Sequence, residues 1–143
     1  MDASWSYGIN IDKKDGDFVV SARDLPEVVT SGGTFDEALA LARDAIELAV
    51  AGRMEDGMNL TPPTLARKGE HIVSLPAQLA AKASIYSAWK AARLSKMALA
   101  RLLERNEAEV RRILNPRHAT KLDQLEEAAN ALGGRLNISF ESL

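Results

Sequence analysis

The chain has 143 residues, 46% of them apolar and 27% charged, with a formal net charge of minus 2, the composition of one ordinary globular domain or two small ones. Its apolar runs fall far short of the roughly 18 to 20 residues a spanning helix needs, and Met1 to Asn10 has no basic start followed by an apolar block, so neither a membrane span nor a secretion signal is expected. The absence of cysteine excludes disulfides, thiolate metal sites and a cysteine nucleophile, and makes a reducing cytoplasm the expected address. Charge is unevenly shared: up to Leu75, 7 Lys and Arg stand against 13 Asp and Glu, while from Pro76 onward 11 stand against 7. Between Lys82 and Lys121 the excess reaches 10 basic over 3 acidic residues, a segment suited to a polyanion.

Tyr7 to Asp12 and Phe18 to Ala22 alternate apolar and polar side chains around Asp15 and Gly16, the pattern of a β-hairpin closed by a short Asp-Gly turn. Val28 to Ser31 is a third short β-branched run. Thr34, with Glu37 three positions on, forms a capping box, and Phe35, Leu39, Ala42, Ile46 and Ala49 give the following helix one apolar face. After an irregular connection from Met54 to Arg67, Ile72 to Leu75 reads as a fourth strand, which completes a minimal α/β layer and places a domain boundary near Pro76. Such a layer of about 75 residues is marginal on its own and gains from association.

Beyond Pro76 the pattern is helical: Pro76 to about Arg93, Ser95 to about Glu104, Asn106 to about Leu114, and Lys121 to Leu132, stopped by Gly133 and Gly134. Leu94, Leu99, Leu102, Leu103, Val110, Ile113, Leu122, Leu125 and Leu132 form the expected core of a helix-turn-helix bundle. Arg135 to Phe140 alternates Leu136, Ile138 and Phe140 with polar residues, so a terminal strand is expected, with a second copy of the chain as its simplest partner. The fold class is therefore α+β: an α/β domain over 1–75, then an all-α domain over 76–143 that ends in a strand.

No catalytic or metal site and no cofactor is expected. Asp12, Asp15, Asp17 and Asp24 cluster around the hairpin, where a magnesium pair is conceivable, but turns favour aspartate for local hydrogen bonds. His71 and His118 are 47 positions apart and lack a nucleophile at motif spacing. The basic segment is more specific. A recognition helix beginning after Asn106 exposes Glu107, Ala108, Arg111 and Arg112; Arg111 and Arg112 are placed to read guanine, and Lys96, Arg105, Arg117 and Lys121 to hold backbone phosphates. A charged, solvated face on a helical bundle is the alternative, favoured by Glu107 and Glu109.

The run L-S-K-M-A-L-A-R-L-L-E-R-N-E-A-E-V-R-R-I-L, Leu94 to Leu114, resembles the Xre and Cro-like helix-turn-helix, with Glu104 at the family's turn glycine and Arg105 at its small apolar position. The segments Y-G-I-N-I-D and G-D-F-V-V-S-A-R-D-L-P-E-V-V-T-S-G-G-T-F-D-E-A-L resemble the HicB antitoxins of bacterial toxin-antitoxin pairs. The resemblance implies a partial RNase H-like domain (three strands, helix, strand) that masks a small mRNA-cleaving HicA-like toxin. It further implies a second domain that represses the operon by binding double-stranded operator DNA, homo-oligomers (a dimer or dimer of dimers, through Leu136, Ile138 and Phe140) and no enzymatic activity. A basic toxin complements the acidic half, with Asp15, Asp17, Asp24, Leu25, Pro26 and Glu27 as the expected contacts. A DNA-binding regulator with a ligand-sensing front domain and an RNase H-like nuclease are the alternative functions.

Overall fold

The computed structural model describes residues 5–143; Met1 to Ser4, part of the stretch read for a secretion signal, lie outside them. Strands β1 (Ser6–Lys14), β2 (Asp17–Ala22) and β3 (Val29–Gly32), helix α1 (Phe35–Glu55) and strand β4 (His71–Ser74) come first, in the expected order of three strands, helix, strand. Helices α2 (Ala77–Ala91), α3 (Lys96–Leu103), α4 (Glu107–Leu114) and α5 (Leu122–Ala131) follow, so the molecule is α+β. No helix among the described residues is long and apolar enough to cross a membrane.

The sheet is antiparallel throughout, in the order β3-β2-β1-β4. Lys14 pairs with Asp17, so the β1–β2 turn consists of Asp15 and Gly16, both left-handed at φ 50° and 86°, the backbone that matches the twist of a tight hairpin. Tyr7, Ile9, Val20, Ala22 and Val73 point to the side covered by α1 and are all buried. Thr34 caps α1 by accepting from the Glu37 amide at 3.1 Å. The helix buries Ala38, Ala42, Ile46, Val50 and Met54. This stripe is turned slightly from the expected one: Leu39, Ala45 and Ala49 flank it, and Phe35 packs edge-on to Phe18 and His71 at its margin. The reason is close approach, since small alanines let the helix backbone settle on Gly32 of β3.

A strap from Asp56 to Glu70 returns the chain to β4 and is tied at both ends. Tyr86, Ser87 and Lys90 of α2 donate to the carbonyls of Met58, Leu60 and Gly57 at 2.7, 2.7 and 2.9 Å. At the sheet end, Arg23 donates to both oxygens of Glu70, at 3.1 and 2.9 Å, to the Leu65 carbonyl at 2.9 Å and to the Thr64 hydroxyl. Asp24 accepts from the Thr64 amide at 2.8 Å.

Two apolar clusters meet at α2. Leu79, Ala83 and Tyr86 join the sheet and α1, Ile85 joins α3, α4 and α5, and Trp89 touches both. In the rear cluster Leu99, Val110, Ile113 and Leu125 are buried as expected, whereas Leu102 and Leu122 are 55% and 50% exposed. Leu99 and Leu103, four apart, define the inward stripe of α3, and Leu102 falls beside it. The expected terminal strand is not formed. Residues 135–143 carry no strand, Leu136 is half-buried against the rear cluster, and Ile138 and Phe140 are exposed. A strand exists only as part of a ladder, and among the described residues no strand pairs with this segment.

A methyl group at Gly32 would lie 2.6 Å from the Ala38 amide nitrogen and 3.0 Å from its Cα, so Gly32→Ala must force α1 off β3. Urea unfolding is expected to show a loss of about 2 kcal/mol, with Gly33→Ala close to wild type because its nearest neighbour is a flexible carboxylate. Glu70 is held at about 2 rather than its ordinary 4.5, first by the Arg23 hydrogen bonds and then by the Arg67 amide. Its stabilisation is therefore complete above 4.5 and lost as pH falls through about 2. The difference in unfolding midpoint between wild type and Glu70→Gln should be largest at neutral pH and vanish at the acid end of that window.

Candidate functional site

The rear surface is built around the α3–α4 corner. Ser95 caps α3 by accepting from the Ala98 amide at 3.0 Å, and Asn106 caps α4 by accepting from the Glu109 amide at 2.8 Å while its own amide donates to the Glu109 carboxylate at 3.1 Å. Between them Glu104 is left-handed, φ 54° and ψ 43°, the conformation that a turn glycine would adopt more cheaply. The Arg105 amide then closes on the Ala100 carbonyl at 3.0 Å. The Arg105 side chain, expected to hold a backbone phosphate, donates to Glu109 at 2.9 Å and to Glu127 at 3.0 Å, stitching α4 to α5.

With the corner fixed, α4 turns Val110, Ile113 and Leu114 inward and leaves Arg111 and Arg112 exposed and Glu107 and Ala108 half-exposed. Acidic residues lie in its first turn and arginines in its last, as the helix dipole favours. Arg111 donates to Glu107 at 2.9 Å, one turn back. Lys96 and Arg111 converge on one cavity of about 330 Å³, which Met54, Glu55, Trp89 and Asn115 also line. Arg117 is held elsewhere, donating to both oxygens of Glu55 at the end of α1, at 2.7 and 3.1 Å. Lys121 is exposed at the start of α5. The expected nucleic-acid set is thus distributed around the corner: Lys96 with Arg111, Arg112 exposed on α4, Arg105 against α5, and Arg117 against α1.

Lys82 was not among the expected functional residues, because sequence counting places it only in a basic run. Its side chain is fully buried, and its ammonium donates to the carbonyls of Arg112 and Asn115 at 2.8 and 2.9 Å and to the Thr120 hydroxyl at 2.8 Å. Burial pushes this lysine down to about 8, while three acceptors and the negative end of α4 favour its charged form. Gln78 accepts from the Thr120 amide at 2.8 Å, so α2 grips this turn at a second point. The available signal was position: Lys82 sits between Leu79, Ala83 and Tyr86 on an apolar helical face.

On the front half the structure divides the acidic set. Asp15 and Asp17 are exposed at the hairpin tip. Asp24 to Glu27 lie at the other end of β2, about 20 Å away at the usual strand rise of about 3.3 Å per residue. Leu25 is not a surface residue: it is 1% exposed, part of the main core, and has no side chain to offer a partner. Asp24 holds the strap, Pro26 is exposed, and Glu27 accepts two bonds from Arg53 at 2.6 and 2.8 Å, which lower its carboxyl. Burial raises the nearby Tyr7 hydroxyl well above its ordinary value. Among the described residues no three His, Asp or Glu side chains group to hold a metal ion. Val29, Leu65 and Ile72, 72%, 70% and 63% exposed, add apolar surface on and beside the edge strands that acidic-patch reasoning passed over.

Comparison with known proteins places this architecture. Residues 4–84, ending inside α2, match the family model described as a HicB-like antitoxin of a bacterial toxin-antitoxin system. Curated relatives continue through the rear helices. Antitoxin HicB 2 of Photorhabdus laumondii is 36% identical over 138 residues, covering 96% of this chain and 98% of that protein. Antitoxin HicB of Escherichia coli K12 is 32% identical over 124 residues, 87% of this chain and 90% of its own. Antitoxin HicB of Pseudomonas fluorescens is 30% identical over 140 residues, 96% and 95% of the two chains. The match over the sheet, α1 and the start of α2, together with relatives aligned along most of their length, shows that this chain belongs to the HicB-like antitoxins of bacterial toxin-antitoxin systems.

Proposed function

We propose that residues 1–75 bind and neutralise a HicA-like mRNA-cleaving toxin, and that residues 76–143 bind double-stranded operator DNA to repress the chain's own operon. On this reading the protein is a binding module without catalytic activity. It works as a dimer or dimer of dimers, paired through the tail that carries Leu136, Ile138 and Phe140. The observation that carries the DNA half is the corner at Glu104: a left-handed turn joins two capped helices so that Val110 and Ile113 fill the core while Arg111 and Arg112 stay in solvent. That is the disposition a helix entering a major groove requires. The toxin half is supported by family membership and by charge, the first 75 residues being acidic where an RNA-binding toxin would be basic. The tail's reading is supported by its alternating apolar residues and by a groove of about 610 Å³ that Ile138 borders with Leu122 and α2.

Asp15→Ala with Asp17→Ala should slow association with the toxin several-fold at low salt and much less at high salt, because exposed charges act chiefly on encounter. Stopped-flow binding reads this directly, and unchanged rates at low salt after replacing Asp15, Asp17, Asp24 and Glu27 together would reject the acidic surface. For DNA, Arg111→Ala and Arg112→Ala should each lower operator affinity about tenfold and relax sequence preference. Lys96→Ala and Lys121→Ala should weaken operator and random duplex alike, each reducing the log-log salt slope by about 0.9. Intact operator affinity in both arginine variants would remove α4 from the interface. Incubation with RNA and magnesium should give no cleavage; sustained turnover would favour a nuclease.

A further inference from the structure

We infer that Lys82 is a positioning residue for DNA recognition: its buried ammonium sets the pose in which α4 presents Arg111 and Arg112 to the duplex. The inference rests on the reading that α4 contacts DNA, and it adds what holds that helix in register. The last carbonyls of a helix lack intrahelical donors and must be satisfied from outside. At the end of α4 the Arg112 and Asn115 carbonyls each take one backbone amide, from Asn115 and His118 at 3.2 Å, and their second donor comes from another element, from the one side chain that carries three donors on a single atom. All three acceptors, the Arg112 and Asn115 carbonyls and the Thr120 hydroxyl, belong to the end of α4 and the turn after it. The donor sits on α2, whose neighbouring residues Leu79, Ala83 and Tyr86 are anchored in the other core.

Apolar packing alone would not fix this pose as tightly. The packing of Val110 and Ile113 is non-directional, whereas three hydrogen bonds to one nitrogen fix direction as well as distance. Bidentate readout of a base edge is sensitive to displacements that long side chains on phosphates absorb. Loss of the Lys82 contacts should therefore damage sequence discrimination more than general attraction to DNA.

The test uses the full chain with a duplex spanning the region upstream of its own gene and a scrambled duplex of equal length and composition. Lys82→Met keeps an unbranched chain and a good helix former while removing every donor. Expected is a tenfold or greater fall in the ratio of operator to scrambled affinity, with scrambled affinity and its salt slope within about twofold of wild type. Thr120→Val, which removes one acceptor at constant shape, should move the ratio in the same direction by about threefold. A ratio unchanged in Lys82→Met while Arg111→Ala lowers it overturns the positioning role and leaves the DNA reading standing. A ratio unchanged in Lys82→Met, Arg111→Ala and Arg112→Ala alike overturns the DNA reading and the inference with it. Where Lys82→Met lacks a cooperative melt, Thr120→Val decides: a reduced ratio supports positioning and an unchanged one overturns it.

Discussion

One helix has to satisfy two cores, and the rest of the molecule is arranged around that requirement. Helix α2, about 22 Å long at 1.5 Å per residue, sends Leu79, Ala83 and Tyr86 into the sheet's core and Ile85 into the helical one. Trp89 packs against both, its ring centroid 5.7 Å from that of Tyr86. The polar groups of the same helix hold the remaining parts. Ser84 accepts from the Trp5 indole at 2.6 Å, Tyr86 and Ser87 fix the strap, and Lys82 and Gln78 fix the turn after α4. A small α/β layer that would be marginal alone thereby shares apolar burial with the bundle behind it.

What the sequence made legible was local chemistry. Asp15 and Gly16 specified a two-residue turn, and Thr34, Ser95 and Asn106 specified helix starts, because a side-chain oxygen three residues from an unpaired amide is a short-range matter. Glu104 shows the limit of local inference: with glutamate at the resembled family's turn glycine the sequence leaves the turn geometry open, and the backbone is left-handed all the same. At roughly 1 to 2 kcal/mol the strain is small enough for the packing of Leu99, Val110 and Ile113 to absorb.

What was hidden depends on pairings between residues far apart in the chain. Nothing periodic links Arg23 to Glu70 or Lys82 to the turn 30 to 38 positions later, so neither network could be read from spacing. Leu25 looked like loop surface because Asp24 and Pro26 flank it, but the connection between β2 and β3 turns both Leu25 and Val28 into the main core. The tail failed for the opposite reason. Its alternation predicts a strand, yet residues 135–143 form none, because alternation alone does not make a ladder and no strand of the described residues pairs with it.

Formal charge also overstates what the rear half offers to a polyanion. Of the ten basic residues between Lys82 and Lys121, Lys82 is buried, and Arg105, Arg111 and Arg117 are each engaged by carboxylates of Glu109 and Glu127, Glu107, and Glu55. The more exposed pairs, Arg111 with Glu107 and Arg117 with Glu55, contribute about 0 to 1 kcal/mol, so an incoming phosphate or base edge can exchange for the carboxylate at little cost, whereas Arg105 sits half-buried between its two carboxylates. The exchange still favours a ligand that replaces several carboxylates at once in the right geometry over one that meets them singly. On the proposed reading, the intramolecular pairs around α4 act as a mild filter: they subtract from indiscriminate attraction to nucleic acid while leaving the multidentate contact of a specific site nearly whole, a division of labour that bare net charge could not provide.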